Sequence, residues 1–157
     1  MNTDELNTLT DTMENATEHE RMTEIKKHFP QFKIRDTFIG TECKKNNFRG
    51  TYGDRNQYKV TIYNGAHKFS TTFTDSIYNT QNGKKSSHFD MLYCIVSDMQ
   101  CVQYNDTFED FASEFGYDED SRSAEKIYKA CLKTKDNLER LFGNDGCEIL
   151  NAVTYGY

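Results

Sequence analysis

Residues 57–74, QYKVTIYNGAHKFSTTFT, decide the fold. The first half alternates between two faces, a period of two that indicates a half-buried strand, and its apolar face carries Tyr58, Val60 and Ile62. An Asn-Gly pair then precedes a second run of the same kind, KFSTTFT. Because Asn and Gly both tolerate positive φ, the stretch predicts a β-hairpin centred on Asn64 and Gly65.

A hairpin alone is only marginally stable in water, so a further strand is expected. Residues 32–42, FKIRDTFIGTE, carry the β-branched and aromatic residues that favour an opening strand. Residues 44–56, KKNNFRGTYGDRN, are polar and contain glycine and asparagine, which is typical of a loop. We therefore expect a small antiparallel sheet of three strands over residues 32–74.

Helical patterns flank this sheet. Residues 1–29 carry apolar residues at helical spacing and stop at Pro30, although the pattern breaks around residues 17–21 and allows two helices. After a polar connector, helical spacing returns over residues 87–153. The prediction is an α+β fold in a single domain, residues 1–157. The sheet follows an N-terminal helical segment, residues 1–29, and a C-terminal helical layer, residues 87–153, covers one face of the sheet. The sequence leaves open whether the N-terminal helix covers its own sheet or pairs with a second copy.

Local signals predict where the C-terminal helices begin and end. Ser87 with Asp90, and Thr107 with Asp110, have the spacing of capping boxes, and Gly116 and Gly143 are placed as helix stops. Candidate caps for the last long helix are Asp118, Asp120 and Ser121. The predicted inward stripes of the three helices are, in order, Phe89, Leu92, Tyr93, Val96 and Met99; Phe108, Phe111, Ala112 and Phe115; and Ala124, Ile127, Tyr128, Cys131, Leu132, Leu138, Leu141 and Phe142.

The composition restricts the function classes. With 25 Asp and Glu against 19 Lys and Arg, the formal net charge is -6, which opposes a general attraction to nucleic-acid phosphates. No segment has the pattern of a signal peptide or of a membrane span. Five cysteines without a CxxC pair favour reduced, mostly buried thiols, with Cys94 and Cys131 on apolar helical faces. We expect a cytoplasmic protein without membrane association.

Acidic residues concentrate in residues 106–120, where seven carboxylates lie without a Lys or Arg. They can be the solvated arc of helices whose N-termini favour negative charge. Alternatively they form a surface that docks onto a basic groove of a partner, where charge complementarity raises the association rate. On that second interpretation the partner-binding residues are Glu109, Asp110, Glu114, Asp118, Glu119 and Asp120. A calcium loop starting at Asp118 fails, because Ser123 and Lys129 stand where glycine and Glu are needed.

Basic residues concentrate earlier, with ten Lys or Arg against three acids in residues 26–68. In the predicted loop they interleave with aromatic rings, which suits phosphate contact combined with base stacking. The alternative is a solvated loop whose cations balance the acidic helices. The residues that would bind nucleic acid or a partner are Lys44, Lys45, Phe48, Arg49, Tyr52 and Arg55.

The sequence predicts no catalytic site, cofactor or metal site. The four histidines lie in unrelated segments without the spacing of a metal pair. No GxSxG, phosphate-binding loop or GxGxxG string occurs. We therefore expect a binding protein rather than an enzyme.

Two strings carry a resemblance: DSIYNTQNGKKSSHFDMLYCIV, residues 75–96, and DTFEDFASEFGYDEDSRSAEKIYKAC, residues 106–131. In them the sequence resembles a group of small proteins encoded by bacteriophages and other mobile elements. These proteins have a similar order of a short hairpin, a DS-x-x-NT-x-x-G connector, a helix, and then TFEDF and FGYD-x-DSR before a final helix. The likeness covers roughly residues 57–132, about half of the chain.

The resemblance implies a context inside an infected or lysogenic bacterium. Small acidic phage proteins without catalytic motifs often block host machinery, and anti-CRISPR proteins are among them. The resemblance therefore implies an inhibitor that binds a host defence nuclease, such as a Cas protein or its guide complex. The alternative is a nucleic-acid-binding accessory protein of phage replication or recombination that uses the basic loop.

Overall fold

A computed structural model describes residues 1–46 and 51–155, and the side chains of residues 1–43 and 53–154. Within these residues the elements, in chain order, are α1 (Thr3–Met13), α2 (Glu18–His28), β1 (Phe32–Asn46), β2 (Thr51–Asn64), β3 (His67–Thr74), α3 (Ile77–Gln81), α4 (His88–Gln103), α5 (Phe108–Phe115) and α6 (Arg122–Tyr155). The strands form one antiparallel sheet in the order β1-β2-β3. The predicted α+β fold, with a three-stranded sheet between N-terminal and C-terminal helices, is confirmed.

The predicted hairpin forms, but its loop is shifted by one residue. Asn64 pairs with His67, so the two loop residues are Gly65 and Ala66. Gly65 has φ +65°, while no described residue other than glycine has positive φ. This is the pattern of a type II′ turn, which places glycine first, rather than the turn that Asn-Gly would make. The Asn64 side chain instead donates to the carbonyl oxygen of Leu141, at 2.9 Å.

The loop predicted over residues 44–56 is wrong for most of its length. Strand β1 continues to Asn46 and β2 begins at Thr51, with backbone pairing up to the Asn46–Thr51 pair. Strand β3 pairs only with residues 57–64 of β2, so the β1–β2 pairing continues well beyond the end of β3 at Thr74. Inter-strand backbone hydrogen bonds are independent of side-chain polarity, so a polar, glycine-containing run can still extend a ladder.

The helices of both ends share one apolar core under the sheet. The N-terminal segment is divided into two helices, as its sequence allowed, with N-caps Asn2 and Thr17. Helix α4 begins after the predicted cap Ser87, whose hydroxyl accepts from the Asp90 N–H at 3.1 Å. The core of these elements includes Leu9, Met13, Ile25, Phe32, Val60, Ile62, Phe69, Leu92, Val96, Leu138 and Leu150.

A second apolar cluster lies where α4, α5 and α6 meet, and it contains Val102, Phe111, Tyr128 and Cys131. Thr107 caps α5, Gly116 ends it in the left-handed region, and Ser121 is the candidate that caps α6. At Gly143 the last helix is broken by a φ of 74° and ψ of 171°. Two stripe predictions are wrong here, because Phe115 and Ile127 are exposed; Tyr93 on α4 is a third such exposed residue.

Arg21 ties the N-terminal helices to the end of the chain's last helix. Its Nη1 donates to the carbonyl oxygens of Val153 and Thr154, at 2.7 and 3.2 Å. Its Nε donates to the Ala16 carbonyl oxygen at 3.2 Å. The guanidinium therefore satisfies carbonyls that a helix C-terminus leaves without intrahelical partners, and it places positive charge at the negative end of the helix dipole. Across residues 1–46 and 51–155, no helix combines the length and apolar character that a membrane crossing requires.

Candidate functional site

The six acidic residues predicted to bind a partner all lie at the surface formed by α5 and the turn that leads into α6. Thr107 starts α5 by accepting from the Asp110 N–H at 3.2 Å, and this start turns the carboxylates of Glu109 and Asp110 outward. Among the described residues, no Lys or Arg forms a salt bridge with any of the six. They are therefore a concentration of negative charge that the described part of the chain does not neutralise by direct pairing.

Glu114 differs from the other five because it has a structural contact. Its carboxylate accepts a hydrogen bond from the side-chain amide of Asn105, which is buried. The same amide donates to the carbonyl oxygen of Cys101 at 2.9 Å. Glu114 therefore holds the α4–α5 connection, and it is a poor choice for testing the surface alone.

The electrostatic effect of the acids reaches the cluster beneath them. Tyr128 is 8% exposed, and burial together with the negative charges of Asp106, Glu109 and Asp110 raises the pKa of its phenol. The negative charges of three carboxylates thus act on one phenol in the second apolar cluster. The tyrosine stays neutral at physiological pH and acts as a packing residue.

Exposed aromatic rings accompany the acids. Tyr104 is 84% exposed, Phe115 42% and Tyr117 41%. The rings of Phe115 and Tyr117 lie against Phe111, with centroids 5.0 and 5.8 Å from it. Phe115 was predicted to face inward, but it is the last residue of a helix of eight residues, and it packs against Phe111 with a large part of its ring uncovered. We call these three aromatic residues and the six acids the acidic corner.

The residues of the predicted basic loop lie mostly on strands. Lys44 and Lys45 lie on β1 and pair with Gly53 and Tyr52 of β2, while the side chains of Lys44, Lys45 and Tyr52 fall outside the described part. Phe48 and Arg49 lie outside the described residues. Arg55 is exposed on β2 and pairs with Glu42 of β1. The structure therefore assigns Lys44, Lys45, Tyr52 and Arg55 to the two strands rather than to a separate loop.

Sequence reasoning missed a half-buried carboxylate, Asp36, on the inner side of β1. Its oxygens lie 2.8 Å from Lys85 Nζ and 2.6 Å from His88 Nε2. Burial tends to raise the pKa of Asp36, but the hydrogen bonds and charges of Lys85 and His88 outweigh it and lower the pKa. Asp36 shares the inward period of Phe32 and Ile34, which is the signal that could have marked it as an acid in need of a partner.

The DS-x-x-NT connector has a structural explanation. Asp75 is 1% exposed, and its carboxylate accepts four hydrogen bonds of 2.8 to 3.0 Å. The donors are the side-chain amide of Asn79, the backbone N–H of Ser76, and both the backbone N–H and the hydroxyl of Ser86. Thr80 Oγ1 accepts from the N–H of Asn56 on β2, at 2.9 Å. The polar connector contains the short helix α3, capped by Ser76, which the sequence did not predict. The motif therefore fixes α3 to the sheet.

The cysteines are all free, but fewer are buried than predicted. Cys131 and Cys147 are buried, and burial raises the pKa of both thiols to about 12, so they are unreactive. Cys43 and Cys94 are exposed, the latter against the prediction from its helical face, and Cys101 is half-buried. In the described parts of the chain, no three His, Cys, Asp or Glu side chains are grouped so that they could hold a metal ion.

The chain matches no protein-family model, no curated protein and no solved structure.

Proposed function

We propose that this protein is a non-catalytic inhibitor of the anti-CRISPR type, which binds a host defence nuclease through the acidic corner. The observation that carries the proposal is the combination of exposed Phe115 and Tyr117 with carboxylates that have no described cationic partner. Tyr and Phe are enriched in protein–protein interfaces, where a few such anchors supply most of the binding energy. The rings would dock against the nuclease while the acids face its basic nucleic-acid groove.

The electrostatics support a role in association. A nuclease groove that holds a guide or target strand carries positive potential, and a surface of opposite sign raises the association rate at low ionic strength. Asp118, Glu119 and Asp120 lie outside the helices and are expected to lower the stability of the isolated protein through mutual repulsion. The choice of a nuclease as the partner rests on the resemblance to phage-encoded proteins over residues 57–132.

The test is a titration of purified protein into guide-loaded CRISPR effector nucleases of several types, with cleavage of a matching DNA as the readout. We expect one effector to lose activity in proportion to the added protein, ending near one equivalent and independent of incubation time. Such stoichiometry distinguishes binding from enzymatic inactivation. If every effector retains full cleavage with an excess of the protein, the proposed function is wrong.

The surface is tested by two variants with unchanged circular dichroism. Neutralising Glu109, Asp118, Glu119 and Asp120 as the amides should weaken inhibition by about tenfold or more, mainly through a slower association rate. Replacing Phe115 and Tyr117 by alanine should weaken it through faster dissociation. The matched control neutralises four exposed acids elsewhere, Asp4, Asp11, Asp136 and Glu148, and should inhibit as the unmodified protein does. Equal inhibition by the corner variants and the control would exclude the acidic corner as the interface.

A further inference from the structure

Near the hairpin turn, the face of the sheet turned away from the helices carries a grid of nine side chains in three cross-strand rows. The rows, each read from β1 through β2 to β3, are Lys33, Tyr63 and Lys68; Arg35, Thr61 and Ser70; and Thr37, Lys59 and Thr72. Seven of these side chains are exposed, and those of Thr61 and Tyr63 are half-buried. We call this grid the outer sheet face.

The outer sheet face contains four cations and no acid, although acids outnumber cations in the chain by 25 to 19. An exposed antiparallel face is ordinarily polar, and lysines on edge strands discourage unwanted strand pairing. That explanation covers Lys33 and Lys68 on the edge strands β1 and β3. It does not cover Lys59, which lies on the central strand β2.

The nearest acid along β1 does not neutralise this face. Asp36 lies between Lys33 and Thr37 in sequence, but it points to the opposite side and is held there by Lys85 and His88. A further cation borders the grid, because Arg140 of α6 donates to the carbonyl oxygen of Lys68 at 2.9 Å. Glu42 lies on the same face two rows beyond the grid, where its carboxylate accepts from Gln57 Nε2 at 3.0 Å. Among the described residues, no acid forms a salt bridge with the four cations of the grid, so their charge is available to a ligand.

One end of the grid combines an aromatic ring with cations. The Arg35 guanidinium lies 5.9 Å from the centroid of the Tyr63 ring. Both residues, together with Lys33, line an open cleft of about 530 Å³ beside the hairpin turn. Along the next row, the hydroxyls of Thr61 and Ser70 are 2.8 Å apart, and they supply hydrogen-bond groups to the same surface. Cations for phosphates, a ring for a base and hydroxyls between them are the parts of a single-strand binding surface.

We propose that the outer sheet face binds single-stranded nucleic acid, with phosphates at Lys33, Arg35, Lys59 and Lys68 and one base stacked on Tyr63. Three strands span only about 10 Å, which suits one extended strand. Bases in a duplex are already stacked on each other, so a lone ring on a sheet favours an unpaired strand. This site is separate from the acidic corner in residues and in partner, and it stands whether or not the proposed inhibition is found.

The experiment measures fluorescence anisotropy of a labelled single strand of about 20 nucleotides, longer than the roughly 4–16 nucleotides that comparable surfaces cover, over a range of salt concentrations. Replacing Lys33, Arg35, Lys59 and Lys68 by glutamine should weaken binding by at least about tenfold and reduce the log–log salt slope by about 3, since each lost single-strand phosphate contact removes about 0.7. The matched control replaces four exposed lysines on helices, Lys27, Lys126, Lys129 and Lys133, and should change neither quantity appreciably.

Substitutions of Tyr63 distinguish base stacking from electrostatic attraction to the phosphates. Tyr63→Ala should weaken single-strand binding by about fivefold or more, whereas Tyr63→Phe keeps the ring and should bind as the unmodified protein does. Lys59→Glu, a single exposed change, tests the site if the fourfold variant fails to fold. The proposal is overturned if the unmodified protein does not bind the single strand, if the control loses as much affinity as the grid variant, or if a duplex binds as tightly and Tyr63→Ala has no effect.

Discussion

Asp75 accepts four hydrogen bonds while almost completely buried, so a change of one atom there should be measurable. Asp75→Asn places an amide N–H against a donor and leaves a buried donor unsatisfied. We expect a loss of about 1–3 kcal/mol in the free energy of unfolding at neutral pH, measured by urea denaturation. Asp136→Asn, at an exposed position, is the control and should change it by less than about 0.5 kcal/mol.

The same residue predicts a pH dependence. Burial tends to raise the pKa of Asp75, but the hydrogen bonds from Ser86, Asn79 and Ser76 outweigh it and lower the pKa below 3.8. Its stabilisation is therefore complete above the unfolded value of about 3.9 and is lost as the pH falls through the lower folded value. The stability difference between the unmodified protein and Asp75→Asn should be constant near neutrality and shrink below about pH 4. A difference that grows on acidification would contradict this account.

The contacts of the half-buried Asp36 and the buried Asp75 were the least predictable from single residues of the sequence. Asp36 meets Lys85 and His88 across about fifty positions of sequence, and Asp75 meets Ser86 around a loop. Nothing in local spacing identifies a partner that only the folded chain brings near. The caps Ser87 and Thr107 were predicted correctly because each contact lies within three residues.

At the scale of helices and strands, Arg21 joins α2 to the end of α6 by hydrogen bonds to two carbonyl oxygens of α6. Arg21→Met removes the donors to the Val153, Thr154 and Ala16 carbonyls and should cost about 2–3 kcal/mol, because hydrogen bonds from charged groups contribute about 1.5–3 kcal/mol. Arg21→Lys keeps the positive charge but not the planar guanidinium donors, and it should lower the free energy of unfolding by less than Arg21→Met does. Thermal melting followed by circular dichroism measures both, with the exposed Arg122→Met as control. If Arg21→Met is as stable as the control, these hydrogen bonds do not stabilise the contact between α2 and α6.

The elements were predictable where one face is buried and less so elsewhere. Val60 and Ile62 identified β2, because their alternation reflects burial. The hairpin loop was placed one residue early, since Asn64-Gly65 and Gly65-Ala66 both suit tight turns and strand register decides between them. The extension of β1 and β2 past residue 44 has no apolar alternation to indicate it, so its composition suggested a loop.

For the molecule as a whole, charge is segregated. Residues 32–74 contain eight Lys or Arg and three Asp or Glu, a formal charge of +5 in a chain of net -6. The acids at 118–120 precede the cap Ser121, outside the first helical turn where the dipole effect is felt. Mutual repulsion should therefore dominate their contribution to stability.

Neutralising Asp118, Glu119 and Asp120 as amides should raise Tm by about 1–3 °C at low salt, and the gain should vanish at high salt. Glu125→Gln is the contrasting variant, because Glu125 lies in the first turn of α6 and pairs with Lys129 at 3.2 Å; its Tm should fall. Melting curves of both variants at low and high salt concentration measure these changes in Tm. A lower Tm for the triple variant would mean that these acids stabilise the helix rather than serve a surface.

The Arg21 link also sets an order of events during synthesis. Arg21 and its acceptor Val153 are 132 residues apart, which a ribosome translates in roughly 7–26 s at about 5–20 residues per second. Helices α1 and α2 are therefore synthesised before α6, the helix that covers their apolar sides. During that interval Leu9, Met13 and Ile25 lack their core neighbours Leu138 and Leu150. The nascent chain must therefore remain unaggregated, alone or with a chaperone, until the end of α6 has left the exit tunnel.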